Sequence, residues 1–189
     1  MVWDWNGTLL DDNHAVLAAV NEVCAGFGRA ELTWAEWQAA YARPMRLSYE
    51  QILERALDDE EWTRVDKLYH ERYDALLHTC ALAIGVQDAL RHCVDNGRTQ
   101  SLLSMWFHDE LLPEVGRRGL AERLVRVDGL RATVGGGHKA EHLIEHPGEA
   151  IRPGYAGGRI RHSGSSQASR ICRSRFFVSP GIFWYFRKN

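Results

Sequence analysis

Residues that can take part in chemistry are concentrated in the first dozen positions of the chain. Asp4 follows the short apolar run Val2-Trp3, and Asn6-Gly7-Thr8 precedes a second acidic pair. In an open α/β sheet, ligands bind at the carboxyl ends of the strands, so we expect Asp4 to lie at a strand end with its carboxylate exposed. The backbone N–H groups of residues 6–8 and the Thr8 hydroxyl can surround a phosphate group. The alternative is a plain turn, because Asn-Gly is a strong turn dipeptide.

This segment resembles motif I of the haloacid dehalogenase (HAD) superfamily, whose phosphatase members read Asp-x-Asp-Gly-Thr-Leu. The resemblance implies that Asp4 is a nucleophile that forms an aspartyl-phosphate, and that Asp4 and the backbone carbonyl of Asn6 bind Mg²⁺. It also implies that Gly7 and Thr8 bind the phosphate. The family places a general acid/base Asp where this sequence has Asn6, whose amide cannot transfer a proton. Since general acid/base catalysis typically contributes about 10²–10⁴-fold in rate, the sequence predicts a slow enzyme.

Two positions further along the chain match other HAD motifs. Ser104 ends the predicted strand 99–104 and corresponds to motif II, in which a hydroxyl holds the transferring phosphoryl group. A serine that only caps a turn is the alternative. Lys139 follows Gly135-Gly-Gly-His at a predicted helix start and corresponds to motif III, in which a lysine balances the charge of the aspartate and the phosphate. A lysine in the first turn of a helix is unfavourable for the helix dipole, which favours a role beyond solvation.

The resemblance ends near His146, before the fourth motif. The family needs one or two acids there, usually Gly-Asp-x-x-x-Asp, to complete a Mg²⁺ site built on carboxylate oxygens. In this sequence the last aspartate is Asp128 and the last acid is Glu149. The sequence therefore leaves two alternative functions open. One is a Mg²⁺-dependent phosphatase of impaired activity that acts on a small phosphorylated metabolite, and the other is a pseudoenzyme that binds phosphate without turnover.

A zinc site is a third interpretation. His138-x-x-Glu141-His142 fits the H-x-x-E-H pattern of inverted zinc peptidases, and on a helix His138 and His142 share one face and can both ligate Zn²⁺. A catalytic zinc site needs a third ligand, and the downstream candidates are Glu145, His146, Glu149 and His162. Because the chain has 9 histidines, a chance match is the simpler explanation.

Charge is distributed unevenly along the 189 residues. Residues 1–146 carry 15 Lys/Arg and 24 Asp/Glu, whereas residues 147–189 carry 8 basic residues and the single acid Glu149. The second segment is rich in Gly, Ser and Arg. We interpret it as a poorly ordered tail, or as a segment translated out of frame relative to an ancestral HAD domain. Nucleic-acid binding through stacking and charge is the less favoured alternative, and it concerns the tail only.

The composition, with 45% hydrophobic and 25% charged residues, is ordinary for a globular protein. The four cysteines are scattered without a C-x-x-C pair, which favours buried thiols in a reducing compartment over a disulfide framework or a zinc site. The N-terminus has no basic, apolar leader, and no apolar run approaches the roughly 18 residues of a membrane helix. We therefore predict a cytoplasmic protein with no membrane partner.

The periodicity of apolar residues predicts the elements that carry these residues. Four helices are predicted between residues 13 and 79: one over about 13–27, one opened by a Thr33–Glu36 capping box, one over 48–57 and a long one from Asp58 or Asp59. α/β alternation resumes at Gly85, with strands at 99–104 and 124–127 and a loop from Asp128. This order predicts an α/β fold with a Rossmann-like parallel sheet that is incomplete at its C-terminal side. In the HAD resemblance, residues 1–12 and 80–146 form the core. Residues 13–79 form an inserted helical cap, placed as in phosphoglycolate-phosphatase-like proteins.

A cap of this kind closes over small phosphorylated substrates and sets specificity. Arg43 and Arg46 are its candidates for contact with an anionic group of the substrate. A plain helical layer of the main domain is the alternative to a cap, and a solvated surface is the alternative role for either arginine.

Overall fold

The computed structural model describes residues 1–131. The predictions about Lys139, about the zinc pattern at residues 138–142 and about the tail at 147–189 lie outside the described residues and stay predictions. The described chain divides into two compact units. Of the described residues, 1–5 and 84–131 form the first unit, and Asn6–Ala83 form the second.

The elements of the described chain follow in this order: β1 (Val2–Trp3), β2 (Leu10–Asp11), α1 (Asn13–Gly26), α2 (Trp34–Ala40), α3 (Met45–Leu53), α4 (Asp59–Leu77), β3 (Ala81–Leu82), α5 (Val86–Asp95), β4 (Ser101–Phe107), α6 (His108–Arg117), the 3₁₀ helix η1 (Ala121–Arg123) and β5 (Arg126–Leu130).

The first unit is built on a parallel sheet in which the strand order is β1-β4-β5. Ser101 pairs with Val2 on one side and with Arg126 on the other. Parallel neighbours need a crossover connection, and α6 supplies it between β4 and β5. The central strand β4 is buried from Ser101 to Met105, as is usual for parallel strands covered on both faces. The predicted α/β fold class is confirmed.

Strand β4 continues beyond the end predicted from the sequence, from Ser104 to Phe107. Its register with β5 shifts on the way, because Leu103 lies opposite Asp128 and Phe107 lies opposite Leu130. Four positions along β4 therefore correspond to two positions along β5. Such irregularities bend a strand and redirect its side chains, and they are common beside functional sites.

The bounds of the last described strand also differ from the prediction. The sequence predicted a strand over 124–127 and a loop from Asp128, but β5 runs from Arg126 to Leu130. Pairing with β4 outweighs the turn preference of Asp128-Gly129. A glycine inside a strand often marks a close backbone approach, and a Cβ at Gly129 would lie 2.5 Å from the carbonyl oxygen of Trp106.

The second unit consists of the four helices α1 to α4 and a short antiparallel pair of strands, β2 and β3. Leu10 pairs with Leu82, and Asp11 pairs with Ala81. All four helices were predicted from the periodicity of apolar residues. The strand pair was missed, because two residues per strand are too few to show a period of two.

Local signals set the helix ends in this unit. The predicted capping box of α2 is present, with the Thr33 backbone N–H donating to Glu36 over 2.7 Å. A second capping box at Asp58 and Glu61 opens α4. Helix α3 runs over Met45–Leu53 instead of the predicted 48–57. It begins directly after Pro44 and ends at Glu54, whose backbone is left-handed with φ 56°.

The core of the second unit lies between α1 and α4 and continues through aromatic side chains. Tyr69 and Tyr73 stack with ring centroids 5.8 Å apart, and Trp37 contacts Tyr49 at 5.9 Å. Aromatic pairs add about 0.5–1.5 kcal/mol beyond the area that they bury. The Tyr69–Tyr73 stack lies within α4, and the Trp37–Tyr49 contact joins α2 to α3.

Two further predictions can be compared with the described residues. Cys24, Cys80 and Cys93 are buried free thiols, as predicted, and Cys172 lies outside the described residues. Within residues 1–131, no helix combines the length and the hydropathy that crossing a bilayer requires.

Candidate active site

Asp4 comes directly after β1, at the carboxyl end of that strand. Its Oδ1 accepts the backbone N–H of Trp5 over 2.7 Å. The residue is only 8% exposed, so the expectation of an exposed carboxylate is wrong. The adjoining Trp5 is fully buried, so the chain is buried directly after β1. The carboxylate is thus held by its own backbone turn and partly shielded from water.

Ser104 lies in the neighbouring strand β4, within the stretch where the register with β5 shifts. It is 1% exposed, and its Oγ accepts the backbone N–H of Trp106 over 3.0 Å. Residues 1–131 provide no acceptor for the hydroxyl proton, which remains able to donate to an oxyanion. Trp3 pairs with Leu102, so Asp4, one position beyond Trp3, and Ser104, two positions beyond Leu102, follow the last pair of these parallel strands in the same direction.

The side chain of Asn6 belongs to a hydrogen-bonded cluster in the second unit. Its Nδ2 donates to Asp12 Oδ2 over 2.8 Å and to the Tyr73 hydroxyl over 2.9 Å. Tyr73 in turn donates to Asp12 Oδ2 over 2.7 Å. The backbone N–H of Gly7 donates to Asp12 Oδ1 over 2.8 Å. We call these four residues, Asn6, Gly7, Asp12 and Tyr73, the Asp12 cluster.

The sequence analysis did not identify Asp12 or Tyr73 as functional candidates. Asp12 stands at the N-cap position of α1, where an aspartate usually caps its own helix, yet its side chain makes no capping hydrogen bond. Burial, together with the nearby Asp12 carboxylate, raises the pKa of Tyr73 well above its ordinary value. Tyr73 therefore stays protonated and acts as a donor. Only the short distance in sequence between Asn6-Gly7 and Asp12 could have suggested part of this cluster.

The two residues predicted to bind phosphate in this segment differ in their surroundings. The Gly7 N–H is already donated to Asp12, and Gly7 has φ 65°, a left-handed conformation that favours glycine. Thr8 Oγ1 is buried and has no hydrogen-bond partner within residues 1–131. A buried hydroxyl without a partner costs free energy. The Thr8 hydroxyl is therefore the better placed of the two for a bound oxyanion.

Arg43 and Arg46 also differ in what they contact. Arg46 forms ion pairs with Asp59 at 2.9 Å and Glu50 at 3.3 Å, and it also donates to the Leu57 carbonyl. Through these contacts Arg46 links α3 to the start of α4. Arg43 lies 5.9 Å from the Tyr41 ring centroid, and its Nε donates to the Tyr41 hydroxyl.

Magnesium is the cofactor that the sequence resemblance implies. Within residues 1–131, no group of three or more His, Cys, Asp or Glu side chains could hold a metal ion. The oxygen donors that motif I offers are the Asp4 carboxylate and the Asn6 carbonyl. Mg²⁺ is usually bound by one or two carboxylates, with waters and substrate phosphate completing the octahedron. The donor types fit Mg²⁺, and water and substrate would supply most of its ligands.

Comparison with solved structures finds the same fold in HAD-like hydrolases. A haloacid dehalogenase-like hydrolase from Streptococcus pneumoniae shares 13% identity with this chain, with a TM-score of 0.62 over 78% of this chain and 69% of that one. A predicted phosphatase from Clostridium acetobutylicum shares 17% identity, with a TM-score of 0.61 over 79% and 68%. A predicted phosphoglycolate phosphatase from Haemophilus somnus shares 12% identity, with a TM-score of 0.60 over 79% of this chain and 71% of that one.

At these identities the comparison concerns the fold, and it shows that the chain has a HAD-like α/β fold. No protein-family model matches the sequence, and no curated protein matches it either.

Proposed function

We propose that this protein is a HAD-like phosphatase that hydrolyses a small phosphorylated metabolite through an aspartyl-phosphate on Asp4. The observation that carries the proposal is the placement of Asp4 and Ser104. Asp4 directly follows β1, and Ser104 lies in the parallel strand β4 beside it, two positions beyond Leu102, the last residue that pairs with β1, in a fold that resembles those of phosphatases and hydrolases. Open α/β sheets bind their ligands beyond the carboxyl ends of their strands, the side on which Asp4 follows β1.

In the first step the Asp4 carboxylate attacks phosphorus. A bond forms between Asp4 and phosphorus, and the ester bond between phosphorus and the substrate oxygen breaks. The leaving oxygen needs a proton, and the Asn6 amide, which donates to Asp12 and Tyr73, cannot supply one. Water must provide it, so the rate should fall by the roughly 10²–10⁴-fold that general acid catalysis contributes.

In the second step water attacks the phosphorus of the aspartyl-phosphate. The acyl-phosphate bond breaks, inorganic phosphate leaves and the Asp4 carboxylate is restored. The Ser104 hydroxyl donates to a phosphoryl oxygen in both steps, and so does the Thr8 hydroxyl, which lacks a partner within residues 1–131. Mg²⁺, held by Asp4 and the Asn6 carbonyl, would neutralise charge on the phosphoryl group. Lys139 has the same role in the proposal.

Substrate selection is assigned to helices α1 to α4, which we propose to act as a cap. Within residues 1–131 no carboxylate pairs with Arg43, whereas Arg46 is engaged by Asp59 and Glu50. Arg43 is therefore the better candidate for contacting a second anionic group of the substrate. The buried free thiols are in keeping with a reducing, cytoplasmic setting.

A phosphate-binding pseudoenzyme is the second candidate function. The Asn6 amide is held by Asp12 and Tyr73, and no acidic metal-binding cluster occurs within residues 1–131. These features reduce turnover without removing the groups that we assign to phosphate binding. The two candidates differ in one respect only, namely whether Asp4 reacts.

The deciding experiment is Mg²⁺-dependent hydrolysis of an aryl phosphate by the full chain and by its Asp4→Asn variant. Because the amide of the variant is not a nucleophile, we expect turnover to fall by more than about 10³-fold. Asp109→Asn is the matched control, since Asp109 is an exposed aspartate in the first turn of α6. We expect it to retain the activity of the unmodified chain.

Equal turnover by the unmodified chain and Asp4→Asn would refute the enzymatic proposal. If neither hydrolyses the ester but the unmodified chain binds inorganic phosphate in a titration, the pseudoenzyme is the correct function. Zinc that survives dialysis at one equivalent per chain would instead support the zinc pattern at residues 138–142.

A further inference from the structure

In the Asp12 cluster, every side-chain donor and the Gly7 N–H have an acceptor. The two amide hydrogens of Asn6 have two acceptors, Asp12 Oδ2 and the Tyr73 oxygen. Tyr73 O–H and Gly7 N–H complete the set of donors, and both donate to Asp12. The orientation of the Asn6 amide follows from this arrangement, because the nitrogen, and not the oxygen, must face the Asp12 carboxylate.

Asp12 is deeply buried, with 1% of its surface exposed. A buried carboxylate is costly unless hydrogen bonds compensate its charge, and here three donors do so. Its side chain makes no capping bond to α1, although its position would allow one. The carboxylate therefore binds the turn at residues 6–7 and not its own helix.

Tyr73 is the one member of the cluster that lies far along the chain. It is separated from Asn6 by 67 positions and belongs to the last turns of α4. Its ring stacks on Tyr69 at an interplanar angle of 11°. The ring thus has a fixed packing environment, and the hydroxyl has a fixed place against Asn6 and Asp12.

We propose that Asp12 and Tyr73 are positioning residues that fix the backbone of residues 6–8, the turn that directly follows the candidate nucleophile segment. The inference rests on the proposed function, because it concerns the Asn6 carbonyl and the Thr8 hydroxyl that we assign to Mg²⁺ and phosphate. Neither Asp12 nor Tyr73 is assigned a contact with the substrate. They act through Asn6 and Gly7, and displacements of about 1 Å at such positions can cost about 10²-fold in rate.

The test compares Tyr73→Phe with Tyr69→Phe in the full chain. Both variants remove a buried tyrosine hydroxyl from α4 and keep the aromatic ring, but only Tyr73 belongs to the Asp12 cluster. For Tyr73→Phe we expect kcat to fall about 10–100-fold while KM changes by less than about threefold. Tyr69→Phe should keep kcat within about twofold of the unmodified chain, since the four hydrogen bonds that define the cluster come from Asn6, Gly7 and Tyr73.

Two readouts do not depend on turnover. The Gly7 backbone amide resonance should shift in Tyr73→Phe, because losing one donor alters the Asp12 carboxylate that Gly7 binds. In a calorimetric titration with inorganic phosphate and Mg²⁺, Tyr73→Phe should bind about fivefold more weakly than Tyr69→Phe. A side chain that only packs would lower the thermal midpoint without producing this difference in binding.

The outcomes separate the two proposals. If Asp4→Asn loses activity while Tyr73→Phe and Tyr69→Phe behave alike in kcat and in phosphate binding, the phosphatase proposal stands and the positioning role is refuted. If the chain has no turnover but Tyr73→Phe weakens phosphate binding selectively, the positioning role stands and the enzymatic proposal fails. A chain that neither hydrolyses the ester nor binds phosphate refutes both.

Discussion

The two units hold their candidate functional groups in different ways. In the first unit, Asp4 and Ser104 each accept a backbone N–H from a residue one or two positions further on, and these are local bonds. In the second unit the side chains of Asn6, Asp12 and Tyr73 hold one another across as many as 67 positions. A local bond forms wherever the strand forms, whereas the Asp12 cluster requires α4 to be packed in place. The second unit should therefore be the more sensitive to loss of a single polar side chain.

The largest effect is expected for Asp12→Ala. The substitution leaves the Asn6 amide, the Gly7 N–H and the Tyr73 hydroxyl without their acceptor, and each unsatisfied buried group costs about 1–3 kcal/mol. Allowing for water entry, we expect a loss of about 3–5 kcal/mol in the free energy of unfolding of the second unit. Urea denaturation, together with hydrogen exchange of the α1 and α4 amides, would measure it.

The control is Asp11→Ala, which removes the adjacent, exposed aspartate and should cost less than about 0.5 kcal/mol. Equal destabilisation by the two variants would show that the cluster contributes nothing specific. Loss of protection in β4 and β5 with Asp12→Ala would contradict the comparison itself, because the effect would then not be confined to the second unit.

In the first unit, where backbone contacts dominate, we expect a glycine to be the sensitive position. A Cβ at Gly129 would meet the Trp106 carbonyl oxygen at 2.5 Å and the His108 Cα at 2.7 Å. Because these are backbone atoms, β4 and β5 must separate to admit it. Gly129→Ala should therefore destabilise the sheet by about 1–3 kcal/mol, measured by hydrogen exchange of the amides in both strands.

Gly116→Ala is the matched control in the same unit, since nothing lies within 4 Å of a Cβ built there and the residue belongs to α6. Alanine is a better helix former than glycine by up to about 1 kcal/mol, so this variant should be neutral or stabilising. Unchanged stability of Gly129→Ala would mean that β4 and β5 lie further apart than described.

The smallest effect concerns a local bond in the second unit, at the start of α2. The Thr33 backbone N–H and then its hydroxyl hold the pKa of Glu36 below its ordinary value. Because the pKa of Glu36 is lowered in the folded state, the ionised Glu36 carboxylate stabilises the folded protein at neutral pH. This stabilisation is lost as the pH falls through the pKa of Glu36 in the folded state.

The stability difference between the unmodified chain and Glu36→Ala should accordingly be measurable at pH 7 and smaller at about pH 2.5. Thermal unfolding at the two pH values would measure it. Since Glu36 is fully exposed, the difference should also shrink in high salt. A difference that does not vary with pH would assign the contribution to helix propensity and not to the capping box.

Much of the fold could be predicted from the sequence, because its signals are local. The apolar spacing along α1 and α4 and the Thr33–Glu36 box each involve residues within a few positions of one another. The predictions failed where a distant partner decides. The turn-forming pair Asp128-Gly129 became part of β5 because β4 lies beside it.

In the candidate site, too, some features follow from the local sequence and others depend on distant partners. The sequence by itself determined that Asp4 follows the first strand, that position 6 carries an amide and that Ser104 lies in the next predicted strand of the sheet, since each depends on residue type and order. Only the tertiary structure decided that Asp4 is buried, that Arg46 is engaged in ion pairs and that Tyr73 reaches Asn6 and Asp12. The physical reason is that strand and helix patterns arise from neighbouring residues. Burial and the pairing of polar groups depend on partners that the chain brings together only when it folds.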